Sequence, residues 1–254
     1  MAPRAILVIG PRWVGDMVMA QCLLSALKEL YPAAPIDVMA PAWAAPLISR
    51  MPEARGRIDA PFKPGEFGLI DRFKAGRSLS GRYGRAYVLP GSWKSALVPF
   101  FAGIPTRVGF LREMRYGLLN AIVPLPKERK RRTAEMFHLL AGGGAFRQPH
   151  LSIDGANQAA LFATHGLEAG GYAALMPGAE FGPAKRWPED KYAGLARHFE
   201  VRHAFEAQAQ PVAHERMVVD QEDFRRLGED RFAHDRGFPF DGEATADALR
   251  LVIC

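Results

Sequence analysis

The sequence predicts an α/β fold built from parallel strands and intervening helices, and three observations support this class. Short apolar runs alternate with helical patterns through the first half of the chain. Loops that contain Gly and Pro follow several of these runs and lead directly into helices. The 254 residues are 48% hydrophobic and 24% charged, which is typical of a globular protein with a sizeable core.

The predicted elements of the first half follow one another in the order of such a sheet. The strands are apolar runs bounded by turn residues, as expected where a parallel sheet is covered on both faces: Ala5–Ile9 (AILVI), Ile36–Ala40 (IDVMA), residues 85–89 (RAYVL) and residues 106–109 (TRVG). The intervening helices are an amphipathic stretch at 17–30 that ends before Tyr31-Pro32, a short helix at 42–50, and residues 93–102 after the loop Pro90-Gly91-Ser92.

The second half predicts a change of domain. A helix at 133–145 stops at three consecutive glycines, and a strand at 172–176 begins a new unit. We therefore expect a first Rossmann-like domain at 1–150, a connection with a short helix at 151–171, and the start of a second domain at 172–199.

Residues 200–254 differ in character from the rest of the chain. No lysine follows Lys191 and no serine follows Ser152, and periodicity is weak apart from short helical patterns at 218–227 and 245–253. We expect this tail to be aberrant, poorly ordered or limited to short helices, because the chain departs from its natural course near residue 200 through a shifted frame, a rearrangement or a mis-called gene. The alternative is a divergent but folded end.

The charge distribution predicts an anionic small molecule or lipid head group as the ligand. The net charge is +6, with +10 in residues 1–200 and −4 in residues 201–254. Since the sequence has no nucleic-acid motif, we expect no nucleic-acid partner. The two cysteines are far apart and the histidines lack ligand spacing, so no disulfide framework, metal site or cofactor is predicted. With no signal peptide or membrane span, we expect a cytoplasmic protein.

Residues 10–16 (GPRWVGD) form the first predicted strand-to-helix turn. The Gly-x4-Gly spacing suggests a phosphate-binding loop, but Asp16 stands where that motif requires lysine, and its carboxylate would repel a phosphate. Two interpretations of Asp16 remain open. The residue caps the helix that follows, or it acts as a general base at the mouth of the sheet.

Two further turns carry basic side chains. In residues 90–96 (PGSWKSA), either Ser92, Lys94 and Ser95 hold an anionic acceptor, or Ser92 is a helix cap and Lys94 a solvated side chain. Residues 177–188 combine a loop containing Lys185 and Arg186 with a following helix N-terminus, which favours an anion. Lys185 is either a stabiliser of a leaving diphosphate or an ordinary surface lysine. The basic run at 125–132 is either a solvated loop or a contact with anionic lipid or a phosphorylated acceptor.

Four blocks of the sequence together resemble the lipopolysaccharide heptosyltransferases of glycosyltransferase family 9. They are GPRWVGDMVMAQCLLSALKELYP, LPGSWKSALVPFFAGIPTRVGF, REMRYGLLN and PGAEFGPAKRWP, and the resemblance covers about residues 4–199. It implies a GT-B fold of two Rossmann-like domains and an inverting, metal-independent transfer of heptose from ADP-heptose to the inner-core heptose of Kdo-lipid A. It also implies a location on the cytoplasmic face of the inner membrane, with peripheral membrane contact.

The resemblance also assigns roles to individual residues. Asp16 matches the general base and Lys185 the lysine that contacts the donor phosphates, with Pro177, Gly178 and Arg186 beside it on the donor side. The acceptor side is expected to include Arg12, Ser92, Lys94 and Arg115.

The family's Asp-Ser-Gly-x-x-His segment near the donor is missing, since no serine follows Ser152. The second domain is therefore only begun, and we expect this chain by itself to be inactive or nearly so. The alternative is a non-catalytic module that binds glycolipid or a partner through its N-terminal domain.

Overall fold

The computed structural model describes residues 4–60, 62, 67–126, 132–170, 172–175, 185–188, 190–192, 195 and 250–253. The chain divides into two compact units, Met1–Ile153 and Asp154–Cys254. The loop residues Pro177 and Gly178 and most of the basic run at 125–132 lie outside the described residues.

The first unit is built on a six-stranded sheet in the order β3-β2-β1-β4-β5-β6, with every neighbouring pair parallel. The strands are β1 Ala5–Ile9, β2 Ile36–Ala40, β3 Gly56–Asp59, β4 Tyr83–Val88, β5 Thr106–Phe110 and β6 Ala121–Val123. The helices are α1 Val14–Leu30, α2 Ala45–Ile48, α3 Leu69–Ser78, α4 Leu97–Phe101 and α5 Thr133–Leu139, with 3-10 turns at Ala42–Ala44 and Trp93–Ala96.

Two hydrophobic clusters cover the sheet and explain why its central strands are apolar throughout. One cluster joins alternate residues of β1 and β2, such as Ile6 and Val38, to α1 and α5. The other joins the intervening positions, such as Leu7 and Met39, to the α4 region. Because successive side chains of a strand point to opposite faces, both faces of β1 and β2 are buried.

Helices α3 and α4 pack closely at Gly76. A Cβ atom at this position would lie 2.6 Å from the Cβ of Phe101 and 2.8 Å from the carbonyl oxygen of Val98. Only glycine fits this contact without a shift of one helix.

Asp37 forms a buried polar network within the otherwise apolar β2. The Tyr83 hydroxyl donates to its Oδ2 at 2.6 Å, and the Arg55 guanidinium donates to both carboxylate oxygens, through Nε at 2.8 Å to Oδ1. Burial alone would raise the pKa of Asp37, but the hydrogen bonds from Arg55 and Tyr83 outweigh it and lower the pKa below its ordinary value. The carboxylate is therefore held in its charged form and ties β2 to β4.

The end of the first unit is hydrogen-bonded to α1 and to the turn that follows α2. The side-chain amide of Gln21 donates to the carbonyl oxygen of His150 at 2.7 Å and accepts from the His150 N–H at 2.8 Å. Two residues later, the Ser152 N–H donates to the Arg50 carbonyl oxygen at 2.8 Å.

The second unit begins with helix α6, Gly155–His165, and contains a parallel pair of strands, β7 Tyr172–Leu175 and β8 Arg250–Ile253. Asp154 caps α6 by accepting from the Asn157 N–H at 3.1 Å. The sequence predicts a short helix at 245–253, and this prediction is wrong at Arg250–Ile253. These four residues, which include Leu, Val and Ile, form strand β8 and pair with β7.

Three described elements escaped the sequence prediction, each for a physical reason. Strand β3 (GRID) carries charged residues at the sheet edge, and β6 has three residues only. Helix α3 exposes its large apolar residues Leu69, Ile70 and Phe73 and buries Arg72, which reverses the usual amphipathic pattern. The helix predicted at 133–145 ends earlier, at Leu139.

Candidate functional site

A cleft of about 100 Å³ opens in the first unit, where the strand order reverses between β1 and β4. In open parallel sheets this switch point, at the carboxyl ends of the strands, is where ligands bind. The residues that line it come from the carboxyl ends of β1 and β2, from the loops and the 3-10 turn that follow the strands, and from α3 and α4: Ile9, Gly10, Arg12, Met39, Pro41, Ala60, Phe62, Arg72, Pro90, Ser92, Lys94, Ser95 and Val98.

The loop after β1 brings Arg12 to the cleft. Its first residue, Gly10, donates its N–H to the Met39 carbonyl oxygen at 2.9 Å, and a Cβ there would lie 2.7 Å from the Met17 methyl carbon. Glycine thus lets the loop turn tightly against β2. The exposed Arg12 lies two residues later and lines the cleft.

Asp16 lies in the first turn of α1 and is half-buried. The interpretation that Asp16 caps this helix is wrong, because the helix begins at Val14 and the cap position is Trp13, which makes no side-chain capping hydrogen bond. A carboxylate in the first turn is favoured by the helix dipole without capping. Asp16 is not among the residues that line the cleft, although Gly10 and Arg12 of the preceding loop are.

The loop after β4 supplies Ser92 and Lys94. Ser92 occupies the cap position of the 3-10 turn Trp93–Ala96, but its side chain makes no capping hydrogen bond. Ser95 fixes the loop instead, since its hydroxyl donates to the Pro90 carbonyl oxygen at 3.1 Å. Both Ser92 and Lys94 are half-buried and line the cleft.

Arg115 holds this loop from behind and differs from the expectation that it meets the acceptor. It is 2% exposed, and its guanidinium donates to the carbonyl oxygens of Phe110 (2.8 Å), Pro90 (2.6 Å) and Ser92 (3.2 Å). Burial lowers the pKa of Arg115 from its ordinary value, but an arginine with these acceptors remains charged. Its side chain therefore braces the loops after β4 and β5 rather than facing a substrate.

The loop between Phe110 and Arg115 contains local backbone strain. Glu113 and Met114 both adopt the left-handed conformation, with φ of 47° and 48°. This geometry costs energy for residues other than glycine. It lets the Glu113 carboxylate accept from the Trp93 N–H at 2.9 Å, which adds a second brace to the β4 loop.

Sequence reasoning missed Arg72, the most buried cation that lines the cleft. It is 7% exposed, and its guanidinium donates to the carbonyl oxygens of Phe67 at 2.8 Å and Lys94 at 3.1 Å. The guanidinium carbon also lies 4.1 Å from the ring centroid of Phe62. The sequence offered no signal for it, because Arg72 lies on the buried face of a helix whose large apolar residues are exposed.

The cleft is cationic. Arg12, Arg72 and Lys94 line it, and none of its described lining residues is acidic. Within the described part of the chain, no group of three or more His, Cys, Asp or Glu side chains comes together as a metal site. No described helix is long and apolar enough to cross a membrane.

Lys185 and Arg186, the described residues of the predicted donor loop, belong to the second unit and are exposed. The Pro188 carbonyl oxygen accepts from the N–H groups of Lys191 (3.0 Å) and Tyr192 (3.3 Å), so a helical turn follows this loop. Trp187 packs edge-on against Tyr192 with ring centroids 4.8 Å apart.

Comparison with known proteins gives consistent matches. The family described as glycosyltransferase family 9 (heptosyltransferase) matches residues 72–207. Lipopolysaccharide heptosyltransferase 2 of Escherichia coli (strain K12) is 48% identical over 210 residues, which are 76% of this chain and 59% of the relative. Lipooligosaccharide heptosyltransferase 2 of Haemophilus influenzae (strain ATCC 51907 / DSM 11121 / KW20 / Rd) is 43% identical over 204 residues, 75% of this chain and 59% of the relative.

A solved structure of the E. coli ADP-heptose LPS heptosyltransferase II superposes with a TM-score of 0.69 at 46% identity, covering 76% of this chain and 60% of that one. The predicted α/β fold class of GT-B type is thereby confirmed. The chain spans about 59% of the length of the curated relatives that it matches.

Proposed function

Since the chain belongs to glycosyltransferase family 9, the heptosyltransferase family, we propose that it serves in heptose transfer during lipopolysaccharide core assembly. The donor is ADP-L-glycero-D-manno-heptose, and the acceptor is the inner-core heptose of Kdo-lipid A. ADP-heptose appears in the name of the E. coli structure, which is 46% identical to this chain. The acceptor is a membrane lipid, so the reaction belongs at the cytoplasmic face of the inner membrane with peripheral contact.

One observation of the structure supports this proposal most strongly. A cationic cleft opens at the sheet's switch point, lined by Arg12, Arg72 and Lys94, in a chain nearly half identical to a lipopolysaccharide heptosyltransferase. Phosphate and carboxylate groups of an inner-core saccharide are the ligands that such a cleft attracts. Arg12, Ser92 and Lys94 are proposed to contact this acceptor, while Arg115 holds the loop that carries two of them.

Asp16 is the proposed general base. Its carboxylate takes the proton from the acceptor hydroxyl as the hydroxyl oxygen attacks the anomeric carbon of the donor. The new bond joins the acceptor oxygen to that carbon, the bond from the anomeric carbon to the diphosphate oxygen breaks, and ADP leaves, so the configuration inverts. No metal ion is required in this proposal.

The donor side is proposed to lie on the second unit. Lys185 would offset the charge that develops on the leaving diphosphate, with Arg186, Pro177 and Gly178 beside it. Lys185 and Arg186 are exposed, as a ligand contact from solvent requires.

The 254 residues alone are proposed to be inactive in transfer. They span 59% of the relatives' length, and the sequence lacks the Asp-Ser-Gly-x-x-His segment on the donor side. The second candidate function is glycolipid binding without heptose transfer. It is favoured because residues of the first unit alone line the cleft.

Two measurements test these proposals. Calorimetry with ADP-heptose and with the heptosylated Kdo-lipid A acceptor is expected to show acceptor binding and little donor binding. Radiolabelled heptose transfer by the purified 254-residue chain would overturn the proposed inactivity, and failure to bind the acceptor would overturn the acceptor site.

The role of Asp16 is testable in a chimera that carries this chain's first unit on the donor half of the E. coli relative. Asp16→Asn should lower kcat by about 10²–10⁴-fold, as expected for loss of a general base. Glu29→Gln, an exposed carboxylate in the last turn of the same helix, serves as the control and should leave kcat unchanged. Equal activity of the two variants would exclude Asp16 as the base.

A further inference from the structure

The outward side of helix α3 exposes a group of large apolar side chains. Leu69, Ile70 and Phe73 are 44%, 68% and 48% exposed. Phe73 follows the other two by four and three residues, so all three are neighbours on the helix surface. The opposite side of the helix is buried at Arg72 and Gly76. A contiguous apolar surface of this kind is typical of an interaction site in a globular protein.

Aromatic side chains of neighbouring segments enlarge this apolar surface. Phe67 precedes α3 and lies against Trp93, with ring centroids 5.0 Å apart, and both side chains are exposed. Phe73 contacts Phe101 of α4 at 5.2 Å, and Phe101 contacts the exposed Phe100 at 5.6 Å. The apolar surface therefore extends from α3 onto the 3-10 turn before α4 and onto α4 itself.

Basic side chains accompany the apolar ones on α3. Lys74 and Arg77 are exposed, and they follow Ile70 by four and seven residues, so the three form one line along the helix. The exposed acid Asp71 lies on the side of this line away from Phe73. The outward side of α3 thus combines apolar and cationic groups, and its apolar and basic members together form the α3 face: Leu69, Ile70, Phe73, Lys74 and Arg77.

The charge of the α3 face favours an anionic lipid surface as its partner over a second copy of this chain. In a symmetric dimer the same face meets itself, which would bring one net positive face against another. A lipid surface avoids this repulsion, because the apolar side chains enter the boundary between head groups and acyl chains while the cations meet lipid phosphates. The positive net charge of residues 1–200 acts in the same direction.

The position of α3 in the fold gives such docking a consequence for the acceptor. Arg72, on the buried side of this helix, lines the cleft at the switch point of the sheet. One side of α3 therefore forms part of the cleft wall, while the α3 face points to solvent. A lipid-linked acceptor in the same bilayer would lie beside the cleft once the helix rests on the membrane.

We propose that the α3 face docks the first unit on an anionic lipid surface. Leu69, Ile70 and Phe73 would enter the interfacial layer, and Lys74 and Arg77 would lie at the level of the lipid phosphates. The proposal names the surface that makes the membrane contact, and the purpose of that contact rests on the proposed function. Docking itself needs neither donor nor acceptor, so it can be measured separately.

Sedimentation of the purified 254-residue chain with sucrose-loaded vesicles tests the proposal. Vesicles of phosphatidylcholine and phosphatidylglycerol in equal parts should bind the chain, and binding should weaken as salt is added or when phosphatidylcholine is used alone. Ile70→Ser should weaken binding to the anionic vesicles by about tenfold, because it removes most of a buried aliphatic side chain. Lys74→Gln should weaken binding by about fivefold, the contribution of one cation near an anionic surface.

Matched controls lie elsewhere on the chain. Ile153→Ser is the control for Ile70→Ser, because Ile153 is 77% exposed and lies outside the α3 face. Lys191→Gln is the control for Lys74→Gln, because Lys191 is an exposed lysine of the second unit. Both controls should bind vesicles as the wild-type chain does. Circular dichroism checks that all variants fold, and Lys74→Gln decides the test if Ile70→Ser does not.

The proposal is overturned if the wild-type chain does not bind anionic vesicles, if binding is unchanged in Ile70→Ser and Lys74→Gln, or if the controls lose binding equally. A dimer in sedimentation velocity that Ile70→Ser dissociates would overturn it in favour of a second copy. Loss of vesicle binding in the chimera with the E. coli donor half would also overturn it, because the donor half would then cover the α3 face.

The same chimera separates docking from the proposed function. Heptose transfer by a chimera that does not bind vesicles would overturn docking alone. Vesicle binding that depends on Ile70, in a chimera that transfers no heptose, would support docking and overturn the proposed function alone.

Discussion

Replacing Arg115 by methionine should destabilise the first unit by about 3 kcal/mol. Methionine keeps a long unbranched side chain but removes every hydrogen bond that the guanidinium donates to Phe110, Pro90 and Ser92. The Pro90 carbonyl oxygen keeps the Ser95 hydroxyl as a donor and the Ser92 carbonyl oxygen keeps the Ser95 N–H, so the Phe110 carbonyl loses most. A buried acceptor that loses its partner costs about 1–3 kcal/mol, and the shared acceptors add to that.

Urea unfolding followed by tryptophan fluorescence measures this loss. Of the four tryptophans, Trp187 alone belongs to the second unit, so a Trp187→Phe background makes the signal report on the first unit. With an m-value of about 2 kcal/mol/M, the midpoint should fall by about 1.5 M. Arg112→Met, which removes an exposed arginine three residues away, should change the free energy of unfolding by no more than about 0.5 kcal/mol. A loss below about 1 kcal/mol in Arg115→Met would refute the bracing role.

Three further substitutions test other features. The lowered pKa of Asp37 contributes stability that is present above its unfolded pKa of about 3.9 and is lost as pH falls through the folded pKa. Asp37→Asn should therefore lower Tm at pH 7 and flatten the decline of Tm as pH falls below about 4, and parallel Tm curves would contradict this. Gly76→Ala should lower the free energy of unfolding in urea by about 1–3 kcal/mol, because the new Cβ would contact Phe101. Gly15→Ala is the control and should not lower it, because no atom lies within 4 Å of that Cβ position. Met114→Gly should raise the free energy of unfolding by about 0.5 kcal/mol, because glycine adopts the left-handed conformation of this 83% exposed residue without strain. A loss of stability in the same assay would argue against strain at this position.

The central strands were predictable because both of their faces are buried. Ala5–Ile9 and Ile36–Ala40 were predicted to the residue, since runs of apolar residues bounded by turns leave few alternatives. Helix α3 could not be found in the same way. Its apolar residues face outward and its inward face includes an arginine, so hydrophobic periodicity indicates the wrong surface.

The candidate site was predictable to the extent that topology determines it. Arg12, Ser92 and Lys94 follow β1 and β4, and the carboxyl ends of neighbouring parallel strands meet at one edge, so the sequence order alone brings them together. Arg115 shows the limit of this reasoning. The sequence does not show whether a loop arginine faces a substrate or donates to backbone carbonyl oxygens. Only the three-dimensional structure distinguishes these two roles.

The hydrogen bonds at the end of the first unit determine where a self-sufficient fragment can stop. The Gln21 amide pairs with the His150 backbone as a neighbouring strand would, and Ser152 adds a bond to Arg50. A fragment cut after residue 150 would keep the first pairing and lose the second, whereas one that continues to Ile153 retains both. A fragment designed to express the first unit alone should therefore end at Ile153, which follows the hydrogen bonds of His150 and Ser152.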